Sequence, residues 1–181
     1  MHKETLKNTI ARGVLRAPSI RPDTGEFFCN EIAATVRPPW SKQEPGAIAL
    51  AGGKLEVADF HTLLELGLIT EEQLEDPDFV PSQELRMRAA KVAVAREMNE
   101  ELDFVLPADM DWKGLKPIVN GKYETIPFYA DLSVKPDLAA KAESGGTLWI
   151  PETTIVAGQI KMLAGNLEVS QAAIMAMNLG L

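Results

Sequence analysis

The order of the predicted elements constrains the fold more than any other feature of this sequence. One long helical segment, which begins after Ser82 and runs to about Leu102, lies between two groups of short β-prone segments. Ser82 is a favourable N-cap residue, and the four-residue spacing of Val94, Met98 and Leu102 forms an apolar stripe. Strands on both sides of a central helix predict a mixed α/β domain rather than a strict alternation of strands and helices.

The segments around this helix combine β-branched and apolar residues with turn residues between them. Asn120-Gly121 is the best hairpin signal in the chain, because a two-residue hairpin turn needs residues that accept positive φ. A loop is predicted at residues 18–26, where prolines and a glycine cluster. The predicted strands are residues 8–17, 27–37, 47–51, 115–119, 122–132 and 147–150, and residues 152–178 are predicted to form one or two helices.

The composition is typical of a soluble globular domain and excludes several classes of protein. The 181 residues are 46 % apolar and 24 % charged, which is enough apolar material for a core. The net charge of −8 repels a phosphate backbone at long range, so we expect no general nucleic-acid binding. No segment approaches the ~20 apolar residues of a membrane span, and the first residues lack a secretory signal. With Cys29 as the one cysteine, these features predict a cytoplasmic protein without membrane contact.

Residues 96–104 carry the sharpest chemical feature, the sequence Arg-Glu-Met-Asn-Glu-Glu-Leu-Asp-Phe. On a helix Glu97, Glu100 and Glu101 are three or four residues apart, so they share one face. Three carboxylates within one turn repel each other, and in an apolar setting they need a compensating cation. Hard divalent ions prefer such oxygen ligands, and Arg96 is close enough in sequence to orient a carboxylate. The alternative is a solvated acidic helix surface with no site, because Glu is a strong helix former.

A second motif relates the chain to one family. Residues 47–56 read Ala-Ile-Ala-Leu-Ala-Gly-Gly-Lys-Leu-Glu, and together with the Arg-Glu-Met-Asn-Glu-Glu sequence they make the chain resemble the Nudix hydrolases. The signature of that family is a glycine, five residues, a glutamate, seven residues and then R-E-U-x-E-E-x-G-U, in which U is a bulky aliphatic residue. Gly53 matches the first glycine. The resemblance implies an α/β/α sandwich with a mixed sheet, the Arg96–Leu102 helix on one face and the C-terminal helix on the other.

The sequence departs from this signature in two residues and in one spacing. Asp59 stands where the first glutamate is expected, and Asp103 replaces the glycine that follows the paired glutamates. The spacer before the Arg-Glu motif covers residues 60–95 and is much longer than seven residues, which implies an insertion before the helix. We place this acidic helical insertion at residues 60–88 and treat residues 1–181 as a single domain.

The resemblance implies hydrolysis of a pyrophosphate linkage in a nucleoside diphosphate derivative, with Mg²⁺, or alternatively Mn²⁺, as the cofactor. Carboxylates of the helix and a backbone carbonyl of the Gly-Gly turn are then the ligands of the ion. Glu97 is a ligand or the base that takes a proton from the attacking water, Arg96 holds it in place, and Glu100 is also catalytic. The implied metal ligands are Gly53, Glu97, Glu100 and Glu101.

Four further residues are candidates for the predicted site. Glu143 precedes a strand that contains Trp149, as often occurs in the family, and it is a candidate general base or further ligand. Glu152, just after that tryptophan, is a weaker candidate for the same role. Lys54 and Arg37 are candidates for substrate binding, Lys54 through a phosphate group. For Glu143 and Lys54 the alternative is a solvent-facing loop residue.

A second class of function stays open from the sequence. Some proteins with the Nudix fold bind nucleotides as sensors or scaffolds without hydrolysing them, and Asp59 and the long insertion favour this alternative. In either case we expect a nucleotide-derived small molecule as the partner. The apolar C-terminal helix is compatible with a homodimer.

Overall fold

The computed structural model describes residues 3–42, 44–107, 110–139 and 144–181. The strands are β1 Thr9–Ile20, β2 Phe27–Val36, β3 Ile48–Ala49, β4 Lys113–Gly114, β5 Ile118–Asn120, β6 Tyr123–Asp131 and β7 Gly146–Pro151. The helices are α1 Lys3–Asn8, α2 Val57–Glu65, α3 Glu71–Glu75, α4 Gln83–Leu102, α5 Glu152–Val156 and α6 Asn166–Leu179. Within these ranges, none of the helices has the length and apolar character needed to cross a bilayer.

The strands form one mixed sheet. Its order is β3-β2-β1-β6-β4, with β5 also paired to β6 and β7 also paired to β2. β1 and β6 run parallel from the Thr9–Glu124 pair to the Arg16–Asp131 pair, and the other neighbouring strands pair in antiparallel fashion. A parallel pair needs a long crossover connection, and α4 lies in the part of the chain that connects β1 to β6.

Helices cover both faces of the sheet. Ala11 and Leu15 of β1 lie in one core with residues of α4, whereas Val14 lies in a second core with residues of α6. Because successive side chains of a strand point to opposite faces, the sheet separates the two cores. The predicted α/β/α sandwich, with one helix on each face, is confirmed.

Small residues allow α4 to approach the sheet closely. A Cβ atom on Gly13 of β1 would lie 2.3 Å from Cε of Met98 and 2.8 Å from Cγ1 of Val94, so a side chain at this position would force both of these side chains to move. This contact fixes α4 above β1, at the strand that also pairs with the turn around Gly53. The fully buried alanines of the helix are Ala89, Ala90 and Ala93.

Most predicted element boundaries agree with the structure, and two need correction. The strand predicted at residues 115–119 is β5, Ile118–Asn120, and Asn120 pairs with Tyr123, so the two-residue turn is Gly121-Lys122 and not Asn120-Gly121. Ser82 Oγ accepts the N–H of Leu85 at 3.3 Å at the start of α4, which confirms the predicted cap. The predicted loop at residues 18–26 is wrong for its first three residues, because β1 continues to Ile20 and pairs with β2. Pro18 fits in this strand because the pairing of β1 with β6 ends at Arg16, which leaves β1 an edge strand from there on.

The acidic segment before α4 is packed into the core. Phe60 and Leu63 of α2 and Leu74 of α3 are buried in the same cluster as α4. Two short helices confirm the predicted helical character of this segment. Residues 83–88, the last part of the predicted insertion, form the beginning of α4. The placement of an insertion at residues 60–88 stays a prediction.

Candidate functional site

The Gly52-Gly53 turn lies against the end of α4. The N–H of Gly52 donates a hydrogen bond to Glu101 Oε2 at 3.1 Å. A Cβ atom on Gly53 would lie 2.1 Å from Glu97 Oε1, so the Glu97 carboxylate fills the space that a side chain would need. Gly52 has a φ of 145°, and a Cβ there would lie 2.2 Å from the carbonyl oxygen of Ala11. Glycine at both positions therefore lets the turn contact β1 and α4 at once.

Arg96 binds three carboxylates from two helices. Its Nε lies 3.2 Å from Asp59 Oδ1, and its Nη1 lies 3.0 Å from Glu97 Oε1 and 2.9 Å from Glu100 Oε2. Asp59 is 1 % exposed and also accepts the backbone N–H of Glu56 at the start of α2. Burial alone would lower the pKa of Arg96, but the hydrogen bond and the charge of Asp59 raise it. Arg96 is thus placed to orient Glu97 and Glu100, which is the role that the sequence assigns to it.

Glu97 and Glu101 are two neighbouring carboxyl groups whose charged forms are destabilised. Burial raises the pKa of Glu97 by more than the positive charge of Arg96 lowers it. Burial, together with the charge of Glu97, raises the pKa of Glu101 to about 7. A cation beside such a pair would stabilise both ionised carboxylates.

Two further arginines, Arg12 of β1 and Arg37 directly after β2, are close enough for their charges to act on Glu101. The Nη1 group of Arg12 donates a hydrogen bond to the carbonyl oxygen of Gly52. Burial lowers the pKa of Arg12, whereas the nearby charges of Glu101 and Glu97 raise it and that of Arg37 lowers it further. Arg37 donates from Nη2 to Ser41 Oγ at 2.7 Å, and its buried Nε has no hydrogen-bond partner in the described part of the chain. Positive and negative groups therefore alternate around the turn.

The oxygen donors at this turn fit a hard divalent cation. Mg²⁺ prefers carboxylate and carbonyl oxygens, and the turn brings together Glu97, Glu101 and the carbonyl of Gly52. In the described ranges, His, Cys, Asp and Glu side chains form no group of three that could hold a metal ion by themselves. A backbone carbonyl would therefore have to complete the ligand set. The Gly53 carbonyl accepts the N–H of Ala11 at 2.8 Å, whereas the Gly52 carbonyl accepts a hydrogen bond from the Arg12 guanidinium.

The other predicted site residues lie at the edge of this site or away from it. The Lys54 side chain is exposed directly after the turn, and the Glu100 side chain is 43 % exposed. Glu152 begins α5 and pairs with Arg16 at 3.4 Å, so it belongs to a different charged cluster. Glu143 lies outside the described residues. The roles assigned to these residues stay predictions.

Sequence reasoning missed Arg12 and the carbonyl of Gly52. A signal for Arg12 was present, because the segment Thr-Ile-Ala-Arg-Gly-Val-Leu places a guanidinium in a strand of otherwise small, apolar and β-branched residues. A charged group at such a position needs a partner to compensate its loss of water. The sequence contained no signal for which partner that is, because Gly52 lies 40 residues away.

The fold and the site together define a class: an α/β/α sandwich whose helix presents carboxylates to a Gly-Gly turn. A Nudix hydrolase from Alicyclobacillus acidocaldarius has a TM-score of 0.62 at 17 % identity, over 94 % of this chain and 95 % of that chain. The NUDIX domain of Shewanella oneidensis NrtR, solved with ADP ribose, has a TM-score of 0.57 at 13 % identity, over 94 % and 88 %. The Nudix hydrolase RenU from M. Smegmatis has a TM-score of 0.55 at 17 % identity, over 97 % and 88 %.

This chain therefore has the Nudix fold, as its sequence predicts. No protein-family model matches the chain, and no curated protein matches it. The likeness thus lies in the three-dimensional arrangement rather than in overall sequence identity.

Proposed function

We propose that this protein is a Nudix hydrolase that cleaves the pyrophosphate linkage of a nucleoside diphosphate derivative with the help of Mg²⁺ or Mn²⁺. The observation that carries this proposal is the contact of the Glu97 and Glu101 carboxylates with the Gly52-Gly53 turn. Two carboxylates and a carbonyl at one turn provide the ligands that a hard cation needs. The ADP ribose bound to the similar NrtR domain supports the substrate class.

The residues around the turn have different roles in this reaction. A bound divalent ion supplies charge neutralisation at the phosphate oxygens and lowers the pKa of a bound water. Glu101 and the Gly52 carbonyl would hold the ion, and Arg96 keeps Glu97 and Glu100 oriented through its hydrogen bonds to them. Glu97 serves either as a ligand or as the acceptor of the proton that the attacking water loses.

The arginines and Lys54 explain how a protein of net charge −8 can bind an anionic substrate. Arg37 has a buried Nε without a hydrogen-bond partner among the described residues, and this N–H can donate to a phosphate oxygen once the residues that cover it move aside. The exposed Lys54 side chain follows the turn and adds a second cation at its rim. A local positive region can thus attract phosphate although the whole molecule repels it.

Chromatographic detection of the cleavage products tests the proposal, with Mg²⁺ or Mn²⁺ and a panel of dinucleotides, nucleotide sugars and nucleoside triphosphates. The expected products are two phosphomonoesters, or a nucleoside monophosphate and pyrophosphate from a triphosphate. Glu101→Gln and Glu100→Gln each remove a negative charge with almost no change in volume, and both should lower turnover by orders of magnitude. Glu84→Gln is the matched control, because Glu84 lies on the same helix, pairs with Arg88 and has a side chain 75 % exposed. Full activity of Glu101→Gln would contradict the proposed site.

The second candidate is a nucleotide-binding module that does not hydrolyse its ligand. Arg12 favours it, because a guanidinium already binds the Gly52 carbonyl that a metal ion would use. Calorimetry with ADP ribose in the presence of Mg²⁺ separates the two functions. Binding without release of product across the whole substrate panel would support the second candidate.

A further inference from the structure

Arg12 binds the backbone carbonyl that the proposed metal site would use. The Arg12 guanidinium donates to the carbonyl of Gly52, and the backbone N–H of Gly52 donates to Glu101. The next residue, Gly53, contacts the Glu97 carboxylate. The turn that Arg12 contacts therefore also contacts both carboxylates.

The other arginines near the site have partners of their own. Arg96 is held by Asp59, Glu97 and Glu100, and it approaches the acidic groups from α4 itself. Arg37 donates to Ser41. Arg12 is the cation whose hydrogen bond ends on the backbone carbonyl between these acidic groups.

We propose that Arg12 is the resident counter-cation of the Glu97–Glu101 pair and that it competes with the divalent ion for the Gly52 carbonyl. This inference rests on the proposed metal site and concerns its regulation. In the metal-free protein the charge of the guanidinium adds to that of Arg96 and offsets part of the negative charge of the buried Glu97 and the half-buried Glu101. The ion can bind the carbonyl only when the guanidinium leaves it, because two cations at one oxygen repel each other.

The competition predicts that a substitution at this binding site strengthens metal binding rather than weakening it. Arg12→Gln removes the competing charge and should bind Mn²⁺ roughly tenfold more tightly than the wild type, because one positive charge fewer acts on the ion at short range. A residue that only supports the turn would behave in the opposite way, since its loss would disorder the ligands and weaken the affinity. Arg12→Lys keeps the charge and should stay close to the wild-type affinity.

Isothermal titration calorimetry of the full chain with Mn²⁺, without any substrate, measures this affinity. Arg16→Gln is the matched control, because Arg16 lies on the same strand but pairs with Asp131 and Glu152. It should leave the Mn²⁺ affinity unchanged. Equal or weaker binding by Arg12→Gln, in a wild type that binds Mn²⁺, would overturn the competition and leave the proposed metal site intact.

A double-mutant cycle in EDTA tests the counter-cation role separately from metal binding. Urea unfolding should show that Arg12→Gln destabilises the protein, and that the loss is at least halved when Glu101→Gln is also present. If Arg12→Gln alone does not fold, restored folding of the double variant supports the role, and failure to restore it overturns the role. Absence of Mn²⁺ binding in every variant would refute the proposed metal site and the competition, whereas the cycle would still decide the electrostatic coupling.

Discussion

Arg96 of α4 forms an ion pair with Asp59 of α2 and so links the two helices. Its guanidinium binds Asp59 at 3.2 Å and Glu97 at 3.0 Å, and Asp59 is 1 % exposed. Arg96→Gln would leave the Asp59 carboxylate buried without its cation, which costs about 3 kcal/mol when one partner of a buried ion pair is removed. We expect the free energy of unfolding, measured in urea, to fall by about that amount.

The matching variant of Asp59 distinguishes this ionic effect from lost packing. Asp59→Asn removes the negative charge that Arg96→Gln leaves without a partner. The double variant should therefore recover much of the lost stability. A single Arg96→Gln variant as stable as the wild type would show that the N–H of Glu56 alone suffices to hold Asp59.

Glu101 should make the metal-free protein less stable as the pH rises. Burial, with the charge of Glu97 added, raises its pKa from 4.5 to about 7 in the folded state. Between these two pH values the folded protein retains a proton that the unfolded chain has released, so the free energy of unfolding falls as the pH increases. The whole shift corresponds to about 3 kcal/mol.

Glu101→Gln removes this titration and should flatten the profile across the same window. Urea unfolding in EDTA at several pH values, for the variant and the wild type side by side, measures the effect. Parallel pH profiles of the two proteins would contradict the raised pKa of Glu101.

At the scale of elements, substitutions in the Gly52-Gly53 turn distinguish an effect on folding from an effect on metal binding. A Cβ at position 52 would meet the backbone of Ala11 at 2.2 Å with φ at 145°, so Gly52→Ala should cost about 3 kcal/mol or more in unfolding free energy. A Cβ at position 53 meets the Glu97 carboxylate, which is a flexible group that can move aside. Gly53→Ala should therefore fold, but with weaker Mn²⁺ binding and lower turnover.

A glycine in an open loop provides the control for these two variants. Gly46 has a φ of 74°, and a Cβ there would have no described atom within 4 Å beyond its chain neighbours. Gly46→Ala should therefore cost only the left-handed backbone penalty, about 1 kcal/mol, and leave Mn²⁺ binding unchanged. Unchanged Mn²⁺ affinity of Gly53→Ala would argue against Glu97 as a ligand.

The elements could be predicted from the sequence where their signals are local. The Ser82 cap and the hairpin turn at Gly121 depend on a few adjacent residues, although that turn lies one residue later in the chain than predicted. The spacing of Glu97 and Glu101 likewise placed both on one helix face. These parts needed no knowledge of tertiary contacts.

The remaining part of the site depends on contacts between distant segments. Arg12 and Gly52 meet only because β1 pairs with the turn, and neither residue indicates the other in the sequence. The boundary at Pro18 was wrong for a similar reason, since a proline ends a strand or lies on its edge depending on which neighbours pair with it. A single sequence does not specify that pairing.

At the scale of the whole molecule, the sheet lies between two hydrophobic clusters, and β1 contributes residues to both. Phe60 of α2 is fully buried on the side of α4, and Ile174 of α6 is 1 % exposed on the other side. The acidic segment that the sequence marked as an insertion thus contributes a large side chain to the same core that positions Glu97. We expect its packing to support the site and not only the local helices.

Substitutions in the two clusters test whether the chain unfolds as one domain. Phe60→Ala should lower the free energy of unfolding by about 3–5 kcal/mol and Ile174→Ala by about 2–5 kcal/mol, because each leaves a cavity in a packed core. Both variants should move one common transition, followed by tryptophan fluorescence and by far-ultraviolet circular dichroism in urea. A separate early transition in Phe60→Ala would show that α2 and α3 unfold independently. In that case a metal site held by Arg96 and Asp59 would lose its support before the sheet unfolds, and Mn²⁺ affinity would fall at the same urea concentration as the early transition.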